Sequence, residues 1–265
     1  MLRSLKLLEH YKVKATDGDL GSVSNFFIDD ERWTVRYLVV DTGGFFGGRN
    51  VLISPISFRG VDFSARAFNL ALTRDRINNS PSVDLDKPVS RQHERDYYGY
   101  YGYPYYWGYG GLWGADTYPG AMASAGYDRA GERPGERPGE PDAHVHLRSA
   151  KEITGYHVEG TDGAIGHVKD FMVDDESWAI RYMVIETSNW WLGKSVLVAP
   201  DWTSRISWLD RKVYVDMTRS AIQSSPQWGV DDPISRAYED ALHRHYGRMP
   251  LRRKSDASTG NRIAP

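Results

Sequence analysis

Cysteine is absent from all 265 residues. That excludes disulfides, zinc–thiolate and iron–sulfur sites, and thiol nucleophiles together, and it accords with a reducing compartment. A dominant charge is missing too. The chain balances 33 Lys and Arg against 35 Asp and Glu for a net charge of -2, which gives no bulk electrostatic reason to bind nucleic acid or anionic lipid. Long aliphatic runs are also lacking. Arg3, Lys6 and Glu9 interrupt the N-terminal leucines, so no apolar secretion core forms and a cytoplasmic location is expected. The uncharged stretch Tyr97 to Ala115 has the length of a membrane span, about 19 residues. Its content is Tyr and Gly with Pro104, almost without the Leu, Ile and Val that drive insertion. No GxSxG, phosphate-cradling glycine loop or HExxH occurs. The expectation is a non-enzymatic protein with no catalytic residue, no cofactor and no metal.

What the chain does contain is a duplication. LRSLK at Leu2 returns as LRSAK at Leu147, TDGDLGSV at Thr16 as TDGAIGHV at Thr161, and DDERWTVRYLVV at Asp29 as DDESWAIRYMVI at Asp174. VLISP from Val51 returns as VLVAP from Val196, and Thr73, Ser80-Pro81 and Ser90-Arg91 return as Thr218, Ser225-Pro226 and Ser235-Arg236. The offset is constant and ungapped at about 145 residues (Leu2 to Leu147). Two copies are too few for a solenoid, so each must bury a core of its own. The expected domains are 1–96 and 144–250. Between them, 97–143 reads as a linker: ten Tyr and eight Gly from Tyr97 to Tyr127, then an ERPG repeat. The ERPG part is expected to stay unfolded as a spacer, and the Tyr/Gly part either to self-associate or to act as a flexible linker partly packed on a barrel. Residues 251–265 read as a disordered basic and polar tail.

Within a copy the pattern is short strands. Asp17-Gly18 is a turn dipeptide. Leu20 to Asp29 changes phase and predicts a bulge. Trp33 to Val40 alternates, which predicts one core face. Segments Val51 to Ile53, Ser57 to Phe63 and Phe68 to Leu72 bring the total to about six strands, a small barrel or sandwich. Thr73 and Thr218 suit helix N-caps. A second helix in each copy is expected to start at Pro88 or Pro233.

The order DG turn, (I/L)G-x-V, strand ending in Asp, R-Y strand, then VLISP resembles the PRC-barrel family. The residues are Asp17, Gly18, Gly21, Asp29 and Arg36 in the first copy, and Asp162, Gly163, Gly166, Asp174 and Arg181 in the second. The resemblance implies two tandem mainly-β barrels with short C-terminal helices. It also points to two settings of the family: the cytoplasmic part of the reaction-centre H subunit, and the second domain of ribosome maturation factors. Neither the membrane helix of the first nor the N-terminal domain of the second is expected from these 265 residues, so the resemblance carries fold more than activity.

Several residues invite chemistry. TDGDLG and TDGAIG resemble the opening of a calcium loop but lack its later acidic ligands, which favours the hairpin reading. Asp29-Asp30-Glu31 and Asp174-Asp175-Glu176 are expected to be solvated turn acids. His144 with His146, and His243 with His245, lack the supporting ligands of a metal site. Arg36 and Arg181 are expected to pair with Asp41 and Glu186. The loops GGFFGGR and SNWWLGK place Phe45, Phe46 and Arg49, and Trp190, Trp191 and Lys194, as candidate partner-binding residues. Their aromatics either dock on a protein partner, the sister copy or a membrane-bound complex, or fold back over a barrel end. Interleaved Tyr without Lys or Arg argues against single-stranded nucleic acid. The reading favoured is an interaction or scaffold protein with an unidentified protein partner, its barrels pairing within the chain or between copies. An H-subunit-like role in photosynthetic electron transfer and a small-ligand barrel stand as alternatives.

Overall fold

The computed structural model describes residues 1–43, 49–81, 89–107, 110–124, 146–187, 195–226, 228–229 and 232–249. The first copy supplies β1 (Leu2–Ser4), α1 (Leu5–Leu8), β2 (Lys12–Ala15), β3 (Gly18–Asp29), β4 (Thr34–Asp41), β5 (Asn50–Ile53), β6 (Phe58–Asp62), β7 (Ala67–Leu70), α2 (Arg74–Asn78) and α3 (Arg91–Tyr101). After α4 (Pro119–Ser124), the second copy repeats this order as β8 (Leu147–Ser149), α5 (Ala150–Ile153), β9 (His157–Gly160), β10 (Gly163–Asp174), β11 (Ile180–Thr187), β12 (Ser195–Val198), β13 (Thr203–Ser207), β14 (Lys212–Val215), α6 (Arg219–Gln223) and α7 (Arg236–His245).

Two seven-stranded sheets result. One runs β5-β4-β3-β2-β7-β6 and the other β12-β11-β10-β9-β14-β13. Among the described residues neither closes into a barrel, because β5 and β6, like β12 and β13, remain sheet ends. The seventh strand of each sheet comes from the other copy. β1 pairs antiparallel with β10 (Ser4 opposite Met172), and β8 pairs with β3 (Ser149 opposite Phe27). These registers differ by the repeat offset, so they are related by a pseudo-twofold axis. Near that axis Thr34 bridges Ala179; the Val35 N–H donates to the Trp178 carbonyl at 2.8 Å and the Ile180 N–H to the Trp33 carbonyl at 2.6 Å. Trp33 and Trp178 hold φ of 48° and 60° there, a left-handed conformation that costs a non-glycine residue about 1–2 kcal/mol.

The turn glycines behave as their sequence predicts. Gly18 and Gly163 have φ of 141° and 134°, while Asp17 and Asp162 accept from the Arg74 and Arg219 N–H groups at the starts of α2 and α6. Gly21 and Gly166 are required by contact: a Cβ would lie 2.0 Å from the Asp41 or Glu186 carbonyl oxygen. The register of β3 shifts between Val23 and Asn25, the predicted bulge. Thr73 and Thr218 cap α2 and α6.

Three expectations change. The second helices are capped by Ser90 and Ser235 and start at Arg91 and Arg236, not at the prolines; a serine oxygen can take an orphan N–H, and Pro233 lies outside the helix. β4 shows no solvent face, since every residue from Thr34 to Val40 is buried. The cause is the third change. The first part of the segment expected as linker is packed: Tyr97, Tyr98, Tyr101, Tyr106, Trp113 and Met122 are all buried. Tyrosine rings carry enough apolar area to compensate for ordering a glycine-rich chain. Tyr97 stands edge-on to Tyr37 with centroids 5.1 Å apart, and Tyr105 stacks on Trp107 at 4.4 Å.

Candidate functional site

The densest polar chemistry lies on the covered face of β4. Arg36 is 0% exposed. Its Nε and Nη2 donate to one Asp29 carboxylate oxygen at 3.0 and 2.7 Å, and its Nη1 donates to the Leu112 carbonyl at 2.5 Å. The guanidinium lies 3.8 Å from the Tyr106 ring centroid and 4.8 Å from that of Trp113, contacts that stabilise a desolvated cation. Burial opposes ionisation of Asp29, but the charge and hydrogen bonds of Arg36, with smaller help from His146 and the Arg32 N–H, hold its carboxyl below the ordinary value. The arginine partner is therefore Asp29, not the expected Asp41. An ion pair bonded on the same sheet face satisfies both groups where water cannot.

A second cluster adjoins it. Glu94 on α3 is fully buried and accepts from Arg91 (2.8 Å), Tyr106 (2.7 Å) and Tyr37 (3.2 Å). His146, just before β8, brings Nε2 to 3.2 Å from Glu94 and 3.0 Å from the Tyr106 hydroxyl. Burial alone would lower the imidazole pKa, but the hydrogen bond and charge of Glu94 outweigh burial and the repulsion of Arg91, so it is raised. Burial, with Glu94 close by, pushes the Tyr37 and Tyr106 hydroxyls well up. These groups join α3, the aromatic segment and the second copy. Trp113 completes the joint, its indole N–H donating to the Ser177 carbonyl at 2.7 Å.

The second copy departs from the first at the same place. Asp174 Oδ1 accepts from the Glu176 and Ser177 N–H groups at 3.3 and 2.9 Å, as Asp29 Oδ1 does from those of Glu31 and Arg32, and in addition takes the Ser177 hydroxyl at 2.8 Å. Ser177 stands where the first copy has Arg32. Among the described residues Arg181 has no hydrogen bond or ion pair, and its Nε and Nη2 are buried without an acceptor. The expected partner Glu186 is held by Lys169 at 2.5 Å and His167 at 3.2 Å. Beside Arg181 opens a cavity of about 360 Å³ between the copies, walled by Arg32, Trp33, Leu112, Pro200 and Asp201 among others.

Of the turn acids Glu31 and Glu176 are exposed as expected, whereas the aspartates are engaged. Asp29 is buried, Asp30 meets Arg148 at 3.1 Å, and Asp175 meets Arg3 at 3.0 Å and the N-terminal ammonium. Asp30 and Asp175 each neutralise the arginine of an exchanged strand. His243 and His245 go to different partners, Tyr182 and the Ala221 carbonyl. Arg49, expected to face a partner, turns inward to the Ile77 and Ser80 carbonyls at 3.2 Å, closing the C-terminal end of α2. Phe45, Phe46, Trp190, Trp191, Lys194 and His144 lie outside the described residues. No group of three or more His, Cys, Asp or Glu able to hold a metal occurs among the described residues. No helix there is long and apolar enough to cross a membrane.

Residues 5–73 match the PRC-barrel domain family model. The second copy carries the same signatures on a sheet of the same strand order, which is consistent with a tandem PRC-barrel protein. An uncharacterized protein of Deinococcus radiodurans is 31% identical over 77 residues, which cover 29% of this chain and 27% of that protein. The shared part is thus about a quarter of the relative's length.

Proposed function

We propose that the chain is a non-enzymatic scaffold that binds a protein partner through surfaces repeated on its two copies. The PRC-barrel domain itself suggests a protein-interaction or scaffold role. What carries the finer reading is the reciprocal strand exchange, by which each copy completes the other's sheet. The ionisable groups buried beside it, Asp29, Arg36, Glu94 and His146, are engaged in pairing with one another and in joining the copies. Their chemistry is directed inward, at holding a platform. The loops after β4 and β11, with Phe45, Phe46, Trp190 and Trp191, are the surfaces we assign to the partner. An apolar pair at a strand-to-strand connection is unfavourable in water until something covers it.

The test is affinity capture with the intact chain beside a variant carrying serine at these four aromatic positions, followed by titration of the captured protein in purified form. The expected result is one partner bound by wild type and at least tenfold more weakly by the variant. Sedimentation of both chains shows whether that partner is a second copy. Equal binding by both would overturn the assignment of the loops.

A further inference from the structure

We infer that the cavity beside Arg181 is a second binding site, for a polypeptide segment that presents a tryptophan with small neighbours; this deepens the scaffold reading and rests on it. The molecule carries its own precedent for this occupant. The two copies are related residue by residue, so every position of the first has a mate in the second. Arg36 mates with Arg181, and Ser177, which receives the Trp113 indole, mates with Arg32. The cavity is walled by Arg32 and Arg181. It therefore lies at the pseudo-twofold mate of the place that Trp113 fills, where that indole is 0% exposed.

The chemistry agrees. In the first copy Arg36 has a carboxylate on Nε and Nη2, a backbone carbonyl on Nη1, and two aromatic rings against its plane. In the second copy Arg181 has none of these among the described residues. The mate of Asp29, Asp174, makes no bond to Arg181, and its Oδ1 takes the Ser177 N–H and hydroxyl. Arg181 is half-buried, and its two guanidinium nitrogens shielded from water without an acceptor are unfavourable until a ligand carbonyl relieves them. The cavity volume of about 360 Å³ falls at the small end of ligand pockets and suits one large side chain with its adjoining backbone. Charge points the same way. Glu31 and Asp201 balance Arg32 and Arg181 on the cavity wall, so a neutral group is favoured over a free anion. The group that satisfies Arg36 from the aromatic segment is likewise neutral: the Leu112 carbonyl followed by the Trp113 ring. The segment 110–116 also folds on itself, with Gly111 bridged to Gly114 and Trp113 to Asp116. Small residues allow that tight return, since a Cβ at Gly111 would lie 2.5 Å from the Asp116 carbonyl oxygen. A partner segment of this kind is the occupant the cavity fits.

The probe is this chain's own 110–116 sequence, GGLWGAD, acetylated, amidated and carrying fluorotryptophan, titrated into the intact protein by fluorine NMR. Saturable one-site binding with a Kd between about 10 μM and 1 mM is expected, with loss on replacing the peptide's tryptophan by alanine. Arg181→Met should weaken binding at least tenfold while leaving the melting temperature unchanged or higher, because it removes an unpaired cation and keeps the side-chain volume. Absence of binding at 1 mM peptide would overturn the inference. So would binding that Arg181→Met leaves intact, which would mean exchange with the resident segment at Arg36. Either failure leaves capture through the Phe45, Phe46, Trp190 and Trp191 loops to be decided on its own, so the two proposals fail separately.

Discussion

At the scale of single residues, one arginine occurs twice and has two fates. Arg36 and Arg181 sit at the same position of the same strand, yet only Arg36 finds its carboxylate. One neighbour also differs between the copies. Arg32 in the first copy reaches out to the Gly111 carbonyl, whereas Ser177 in the second turns back on Asp174. Removing one partner of a buried pair leaves the other charged and desolvated, at about 3–5 kcal/mol, whereas removing a cation that has no partner carries no such penalty. Arg36→Met is therefore expected to destabilise the protein by about 3–5 kcal/mol. Arg181→Met is expected to stay within about 1 kcal/mol of wild type or to exceed it. Urea unfolding of the two variants at neutral pH measures the contrast, and equal losses would show that Arg181 is satisfied after all.

At the scale of elements, His146 fastens the start of β8 to α3 and the aromatic segment, and this junction responds to pH. The Glu94 carboxylate holds the imidazole pKa above its ordinary value in the folded chain. The stabilisation is fully present below the unfolded pKa, about 6.5, and is lost as pH rises through the raised folded value. His93 has the opposite sign, because burial lowers its pKa, so its contribution grows as pH rises. His93 is common to both proteins, so comparing wild type with His146→Gln isolates the junction. The melting-temperature advantage of wild type should shrink between pH 5.5 and 8.5; a constant gap would contradict the charge assignment. Little of this junction was legible beforehand. The turns, the bulge, the first helix caps and the succession of strands along the chain were, because Gly18, Gly21, Thr73 and the alternating runs each act through their own backbone. The exchanged strands were not, since Leu2–Ser4 and Leu147–Ser149 are three residues long and too short to show a period. The tyrosines from Tyr97 to Tyr106 looked like linker because composition cannot show that β4 offers them a second apolar face. Asp29 read as a turn acid because its partner is seven residues away, across a hairpin rather than beside it in the strand.

At the scale of the whole molecule, the exchange decides how the chain unfolds. Each copy contributes seven strands but keeps only six, so neither sheet is complete without the other copy. The Asn25 side-chain amide donates to Ser149 at 2.8 Å, and its mate Asp170 accepts from Ser4 and from the Lys6 N–H at 3.0 Å, so each bulge also anchors the visiting strand. Copies coupled through ladders, ion pairs and a buried tryptophan have no route to melt independently. Calorimetry of the intact chain should show one transition, with calorimetric and van't Hoff enthalpies in agreement. A separated first half, residues 1–124, keeps β1 but loses the β10 it pairs with. Because Leu2–Ser4 and Leu147–Ser149 have the same sequence, LRS, β1 of one half can take the place of β8 on β3 of another. The half-chain is then expected to sediment as a homodimer closed by a true twofold axis, and mixing with residues 146–250 should convert it to a one-to-one complex. A folded, monomeric half would show that the exchange contributes little, and that the two sheets stand without each other.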